Sequence, residues 1–218
     1  MYQIDEIVQE LKNLAVPTNR EGMARFGIDT ATALGVPIPK LRAMAKKLGK
    51  SHELAEELWK TNIHEARLLA TMVDRPAAVT SLQMERWVGD FNSWDLCDQC
   101  CSNLFDKTPF AFRKAIEWSG RKEEFVKRAG FALMATLSVH DKNRPDEEFL
   151  KFFSHIKRHS TDERNFVKKA VNWALRQIGK RSPFLRRAAI KTAKEIQKLD
   201  SKSAKWVAAD ALRELKSS

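Results

Sequence analysis

The stretch "SWDLCDQCC", residues 93 to 101, holds a tryptophan, two aspartates and all three cysteines of a 218-residue chain. Two chemistries compete for it. Cys97, Cys100 and Cys101 could bind a metal or cycle between thiol and disulfide. Asp98, one helical turn after Trp94, could instead set a fixed carboxylate beside an aromatic face. A zinc site needs four ligands, and a structural one usually adds a second Cys/His pair. The nearest histidines in sequence are His64 and His140. A redox Cys-x-x-Cys needs a βαβ setting, which the pattern here does not offer. Helical geometry decides between the two readings. At ~100° per residue, Leu96, Cys97, Cys100, Cys101 and Leu104 share one apolar face, where free cysteine behaves as a small buried hydrophobe. Trp94 and Asp98 fall together on the border of that face. Periodicity alone makes them an ordinary boundary tryptophan and a surface aspartate.

Other candidate sites are weaker. His155 and His159 are spaced i, i+4, but "HIKRHS" surrounds them with cations. A solvated basic face is expected there rather than a metal edge. The chain carries no P-loop, no dinucleotide glycine fingerprint and no Gly-x-Ser-x-Gly elbow.

The elements that must position Trp94 and Asp98 are helices. No run of alternating β-branched residues and no Asn-Gly or Asp-Gly hairpin is present. Gly35, Gly49, Gly89, Gly120 and Gly179 fall where helices should stop. Pro39, Pro109 and Pro183 fall where helices should start, the last two behind Thr108 and Ser182 as Ncap. The expected helices cover 2–14, 21–34, 39–48, 51–59, 63–73, 79–88, 93–106, 109–119, 122–138, 146–158, 162–179, 183–198 and 202–215. With no Pro/Gly/Ser-rich linker, residues 1–218 read as one domain. "FVKRAGFALMATL" at Phe125 returns as "FVKKAVNWALRQI" at Phe166, 41 residues on, and "FLRRAAIKTAKEI" at Phe184 echoes it out of phase. A period near 40 with paired helices predicts an all-α, HEAT-like α-solenoid, a curved array of antiparallel helix pairs. The alternative is an irregular helical bundle.

Charge narrows the partner. The chain carries 39 Lys and Arg against 28 Asp and Glu, a net +11. Residues 1–106 sum to −3 and residues 107–218 to +14. A basic half beside a near-neutral half favours a polyanion such as nucleic acid. No apolar run approaches the ~20 residues of a membrane span. The opening "MYQIDEIVQELKNL" lacks the basic and apolar regions of a signal peptide, and three cysteines suit a reduced interior. A cytoplasmic location is expected, on the nucleoid when DNA is bound.

The chain resembles the DNA alkylation repair glycosylases of the AlkD-like group, which are HEAT-repeat proteins. The resemblance runs from about Tyr2 to Lys216. It rests on the order and spacing of "MARFGI", "LGVPIPKLRAMAK", "WDLCD", "FVKRAGFAL" and "FVKKAVNWALRQIGKRSP". It implies excision of N3- or N7-alkylated purines from double-stranded DNA; no metal, no cofactor and no obligate protein partner is expected. Carried onto this chain, Asp98 would be the catalytic carboxylate, with Trp94 and Trp173 as aromatic partners. Arg128 would hold a phosphate, and Lys127, Lys168, Lys169 and Arg176 would grip the backbone. Two lesion-side positions depart from the family pattern: Phe26 stands for a tyrosine and Pro37 for a glutamine. Each loses a polar group, which leaves a non-catalytic nucleic-acid-binding HEAT-like protein as the alternative. The resemblance also implies work from the backbone side, in a shallow site that leaves the lesion exposed.

Overall fold

The computed structural model describes residues 3–217, and Tyr2 of the expected helix 2–14 lies outside them. The described residues form thirteen α-helices and two short 3-10 turns, with no strand. The chain divides into two compact units, Met1–Thr108 and Pro109–Ser218.

The first unit holds α1 (Ile4–Asn13), α2 (Pro17–Arg25), α3 (Ile38–Leu48), α4 (His52–Lys60), α5 (His64–Val73), α6 (Ser81–Gly89) and α7 (Trp94–Asn103). α5 sits between α3 and α7 and also packs on α4. Eight of its ten residues are buried, as a helix enclosed on most sides requires. Trp59 and Trp87 stack at 3.9 Å beside Phe91 and Phe105 and close the core behind it. The α3–α5–α7 row brings three helix N-termini to one place: Pro37 caps α3, His64 opens α5 and Trp94 opens α7.

The expected helix at 21–34 is not what forms. The chain turns helical earlier, at Pro17, and leaves the helix at Phe26. Gly27 and Gly35 both take positive φ, at 73° and 79°. At Gly35 a side chain is impossible in any case, because a Cβ would sit 2.3 Å from the Val16 carbonyl oxygen. Between them Asp29 accepts the Ala31 N–H in a local turn that competes with helix. Residues 26–37 are therefore a loop, tied down at many points.

Two other start and stop signals also act differently from expectation. The helix expected at 109 begins at Ala111, after a turn through Pro109 and Phe110. Gly179 lies inside a helix rather than at its end. A Cβ there would come within 2.7 Å of Leu215 and 2.9 Å of Ala189, so glycine serves close helix approach. By contrast Ser182 caps as expected, accepting the Leu185 N–H at 3.2 Å.

The second unit is a stack of three pairs: α8 (Ala111–Ser119) with α9 (Glu124–His140), α10 (Asp146–His159) with α11 (Asn165–Arg181), and α12 (Pro183–Gln197) with α13 (Lys202–Ser217). Like members pack on like, so α8–α10–α12 form one layer and α9–α11–α13 the other. α9 and α11 are both 17 residues long and begin 41 residues apart, the spacing of the sequence repeat. Phe125 and Phe166, its opening residues, lie 5.7 Å apart. No helix among the described residues is long and apolar enough to cross a membrane.

Candidate active site

The three cysteines are fully buried and face the core with Leu96 and Leu104. Burial pushes the Cys100 and Cys101 thiols well above their ordinary range, with Cys97 adding to both shifts. They pack; they are not presented for chemistry. Trp94 and Asp98 emerge half-buried on the border of α7 and line a cavity of about 740 Å3. That volume lies in the ~300–1,000 Å3 range of small-molecule sites. The cavity is built wholly from the first unit, and its wall contains no lysine or arginine.

Phe26 and Pro37 line the same cavity, so the four first-unit residues singled out by sequence meet there. Phe26 is 71% exposed, and its role is double. Its ring stands at the mouth, while its backbone carbonyl accepts the Trp94 indole N–H at 3.0 Å. The N–H that would otherwise need a partner thus fixes the ring plane of Trp94 and pins the start of the 26–37 loop. Phe26 and Trp94 together give this cavity two aromatic side chains.

Three residues that sequence reasoning passed over complete the floor. Glu65 is buried, and its carboxylate accepts the N–H groups of Leu34 (2.8 Å), Gly35 (2.6 Å) and Val36 (3.3 Å). This nest holds the end of the loop against α5, and His64 N–H adds a bond to the Thr32 carbonyl at 3.2 Å. Beside it, His64 Nε2 and Asp95 Oδ2 are 2.8 Å apart. Burial pushes the His64 imidazole toward neutral, but the hydrogen bond and charge of Asp95, with Glu65 and Asp29 behind, outweigh it and raise its pKa. Burial likewise works to raise the Asp95 pKa, and the bond and charge of His64 overcome it, leaving the pKa lowered. Each member of the pair thus favours the charged form of the other, at the first turns of α5 and α7. The only sequence signal was "HE" at a helix start. Its partners lie 30 or so residues away on either side, beyond any local pattern.

In the second unit the expected DNA-facing residues lie on α9 and α11, neighbours in one layer. Arg128 is only 6% exposed, and its Nη1 donates to the Phe166 carbonyl at 2.5 Å, joining α9 to α11. Lys127 pairs with Asp162 at 3.3 Å, and Arg176 pairs with Glu214 and Asp210. Lys168 is half-buried over the ring of Trp206 at 5.3 Å. Lys169 is exposed and Trp173 half-buried. His155 and His159 are not on a solvated face. Both are half-buried, with His155 Nδ1 3.2 Å from Ser119 Oγ. Burial, then Lys127 and its neighbours, take His159 down to about 4.

A family model described as "DNA alkylation repair enzyme" matches residues 7–215. The uncharacterized protein Lin0241 of Listeria innocua is 26% identical over 203 residues, 91% of this chain and 88% of the relative. Lmo0209 of Listeria monocytogenes is 25% identical with the same coverage. One solved structure matches with a TM-score of 0.80 and 22% identity, covering 97% of this chain and 95% of its own. It is described as "a new family of proteins related to the HEAT-like repeat DNA glycosylases with affinity for branched DNA structures". The stacked helix pairs are accordingly a HEAT-like repeat fold.

Proposed function

The chain belongs to the DNA alkylation repair enzyme family, and from that premise we propose that it hydrolyses the N-glycosidic bond of N3- or N7-alkylated purines in duplex DNA. One observation carries the reading: Trp94 and Asp98 share the wall of a pocket that contains no lysine or arginine. The same wall sets three carboxylates, Glu65, Asp95 and Asp98, against one histidine, His64, a balance that suits a group that becomes cationic and disfavours a phosphate.

Alkylation at N3 or N7 makes the purine a cation and weakens its bond to the sugar. As that bond breaks, its electron pair leaves with the base, which departs neutral. The positive charge passes to the deoxyribose as an oxocarbenium-like transition state. Asp98 stabilises that charge where it develops, and its fixed position means little reorganisation at the moment of reaction. A water then adds at the sugar carbon and gives its proton to Asp98 or to solvent. Trp94 offers a π face to the electron-poor sugar, held in orientation by the Phe26 carbonyl. Trp173, on α11 of the second unit, is proposed as a further aromatic contact to the DNA. Arg128, Lys127, Lys168, Lys169 and Arg176 are assigned to the phosphates. The place of action is the cytoplasm, on chromosomal DNA.

A second reading is a DNA binder without excision. Phe26 and Pro37, apolar where the family carries polar side chains, favour it. So does the solved relative, which is described by affinity for branched DNA rather than by a reaction. Incubating the protein with duplex carrying N7-methylguanine and assaying for the free base tests the proposal. Release supports the glycosylase; tight binding without release supports the second reading.

A further inference from the structure

α12 carries a row of cations that the proposed site does not use. Arg187, Lys191, Lys194 and Lys198 are spaced i, i+4, i+7 and i+11, and all four are exposed. On a 100° helical wheel their mean direction lies about 180° from that of the buried Leu185, Ala189, Thr192, Ala193 and Ile196. The row therefore faces away from α10, α11 and α13, on which α12 packs. It lies on the α8–α10–α12 layer, whereas Arg128, Lys168 and Trp173 belong to the α9–α11–α13 layer. One acid adjoins it, Glu195, and that carboxylate is taken by Lys157 of α10 at 2.7 Å.

We infer that this face of α12 is a second duplex-DNA contact, on the other layer of the second unit from Arg128, Lys168 and Trp173. The four charges span ~16 Å along the helix axis, the axial rise of about five nucleotides of one strand. Cations at that pitch can each neutralise a phosphate of a single strand, without reading sequence. An anionic membrane is a poorer partner, because a membrane-bound helix must bury its apolar face in lipid and that of α12 is spent on its neighbours. An acidic protein is poorer too, since the row carries no aromatic anchor. The inference rests on the chain being a DNA protein, not on its being a glycosylase.

The test uses the full chain and a duplex of about one helical turn, with stoichiometry read by sedimentation. A variant with Arg187, Lys191, Lys194 and Lys198 all changed to Gln is compared with one in which Lys12, Lys46, Lys47 and Lys60 become Gln. The two lose equal charge, and melting temperatures verify folding. The expected result is two duplexes bound per wild-type chain and per control chain. The α12 variant keeps the first with affinity within about twofold of the control, and binds the second at least tenfold more weakly. The salt dependence of the second event, log K against log salt, has a slope near −3 to −4 in the wild type. Saturation of the wild type at one duplex overturns the inference, as does an α12 variant matching the control. So does a variant that loses binding to phosphatidylserine vesicles while still taking up two duplexes. Excision assayed on the same variants reports on the glycosylase separately, and its absence leaves the second duplex site standing.

Discussion

Glu65 Oε1 accepts the backbone N–H of Gly35 at 2.6 Å, thirty residues back along the chain. With Leu34 and Val36 donating to the same carboxylate, one side chain gathers three amides that no helix or sheet satisfies. Glu65→Gln replaces one acceptor oxygen with an NH2 that faces donors. Buried donors left unpaired cost roughly 1–3 kcal/mol each, so a loss of about 2–3 kcal/mol is expected. A urea midpoint within experimental error of wild type would show that the loop does not depend on this carboxylate.

The Trp94 indole makes the opposite end of the same loop fast. Trp94→Phe keeps an aromatic face but removes the N–H to the Phe26 carbonyl. The expected stability cost is about 1 kcal/mol. Amide exchange over residues 26–37 should rise, while exchange in α9 and α11 should not change. Uniformly unchanged exchange would mean the bond anchors nothing.

The His64–Asp95 pair gives stability a defined pH window. The His64 pKa is raised above its ordinary 6.5, so its contribution is complete below that value and is lost as pH rises through the folded pKa. The Asp95 pKa is lowered below its ordinary 3.8, so its contribution is complete above that value and is lost as pH falls through the folded pKa. Wild type should therefore gain most from the pair between about pH 4 and 6.5. His64→Gln should flatten the alkaline side of the stability profile measured by urea unfolding. A variant whose profile parallels wild type from pH 6 to 9 would remove His64 from the account.

Buried thiols predict silence toward reagents. Cys97, Cys100 and Cys101 should resist maleimide at pH 8 in the folded protein and react together when urea unfolds it. Fast labelling of any one of them under native conditions would place it at a surface.

Arg128 is the residue whose assignment is most exposed to test. Arg128→Ala removes the bond to the Phe166 carbonyl and should lower the melting temperature. If the guanidinium also reaches a phosphate, the slope of log affinity against log salt should fall by about one. A lower melting temperature with an unchanged slope would make it a tie between α9 and α11 only.

What could be read in advance follows from how local each signal is. The 41-residue echo between Phe125 and Phe166 became two matched helices because each copy carries its own helical period. The cysteine face was equally local: four or five residues at 100° steps decide what is buried. The 26–37 loop was not legible, since "IDTATALG" is helix-like in spacing. What keeps it from being helix is Glu65, acting across space, together with two positive-φ glycines. Arg128 shows the same limit from the other side. Its place in the Phe125 repeat was visible, but not that its guanidinium would be spent on a backbone carbonyl of α11.

The central claim is that Asp98 serves the sugar. Asp98→Asn preserves shape and removes the charge. Excision of N7-methylguanine from duplex DNA and affinity for that duplex are measured side by side. The account predicts loss of excision by at least about a hundredfold, with duplex affinity within about twofold of wild type. Excision that survives the substitution, or excision and affinity that fall together with the melting temperature, would contradict it.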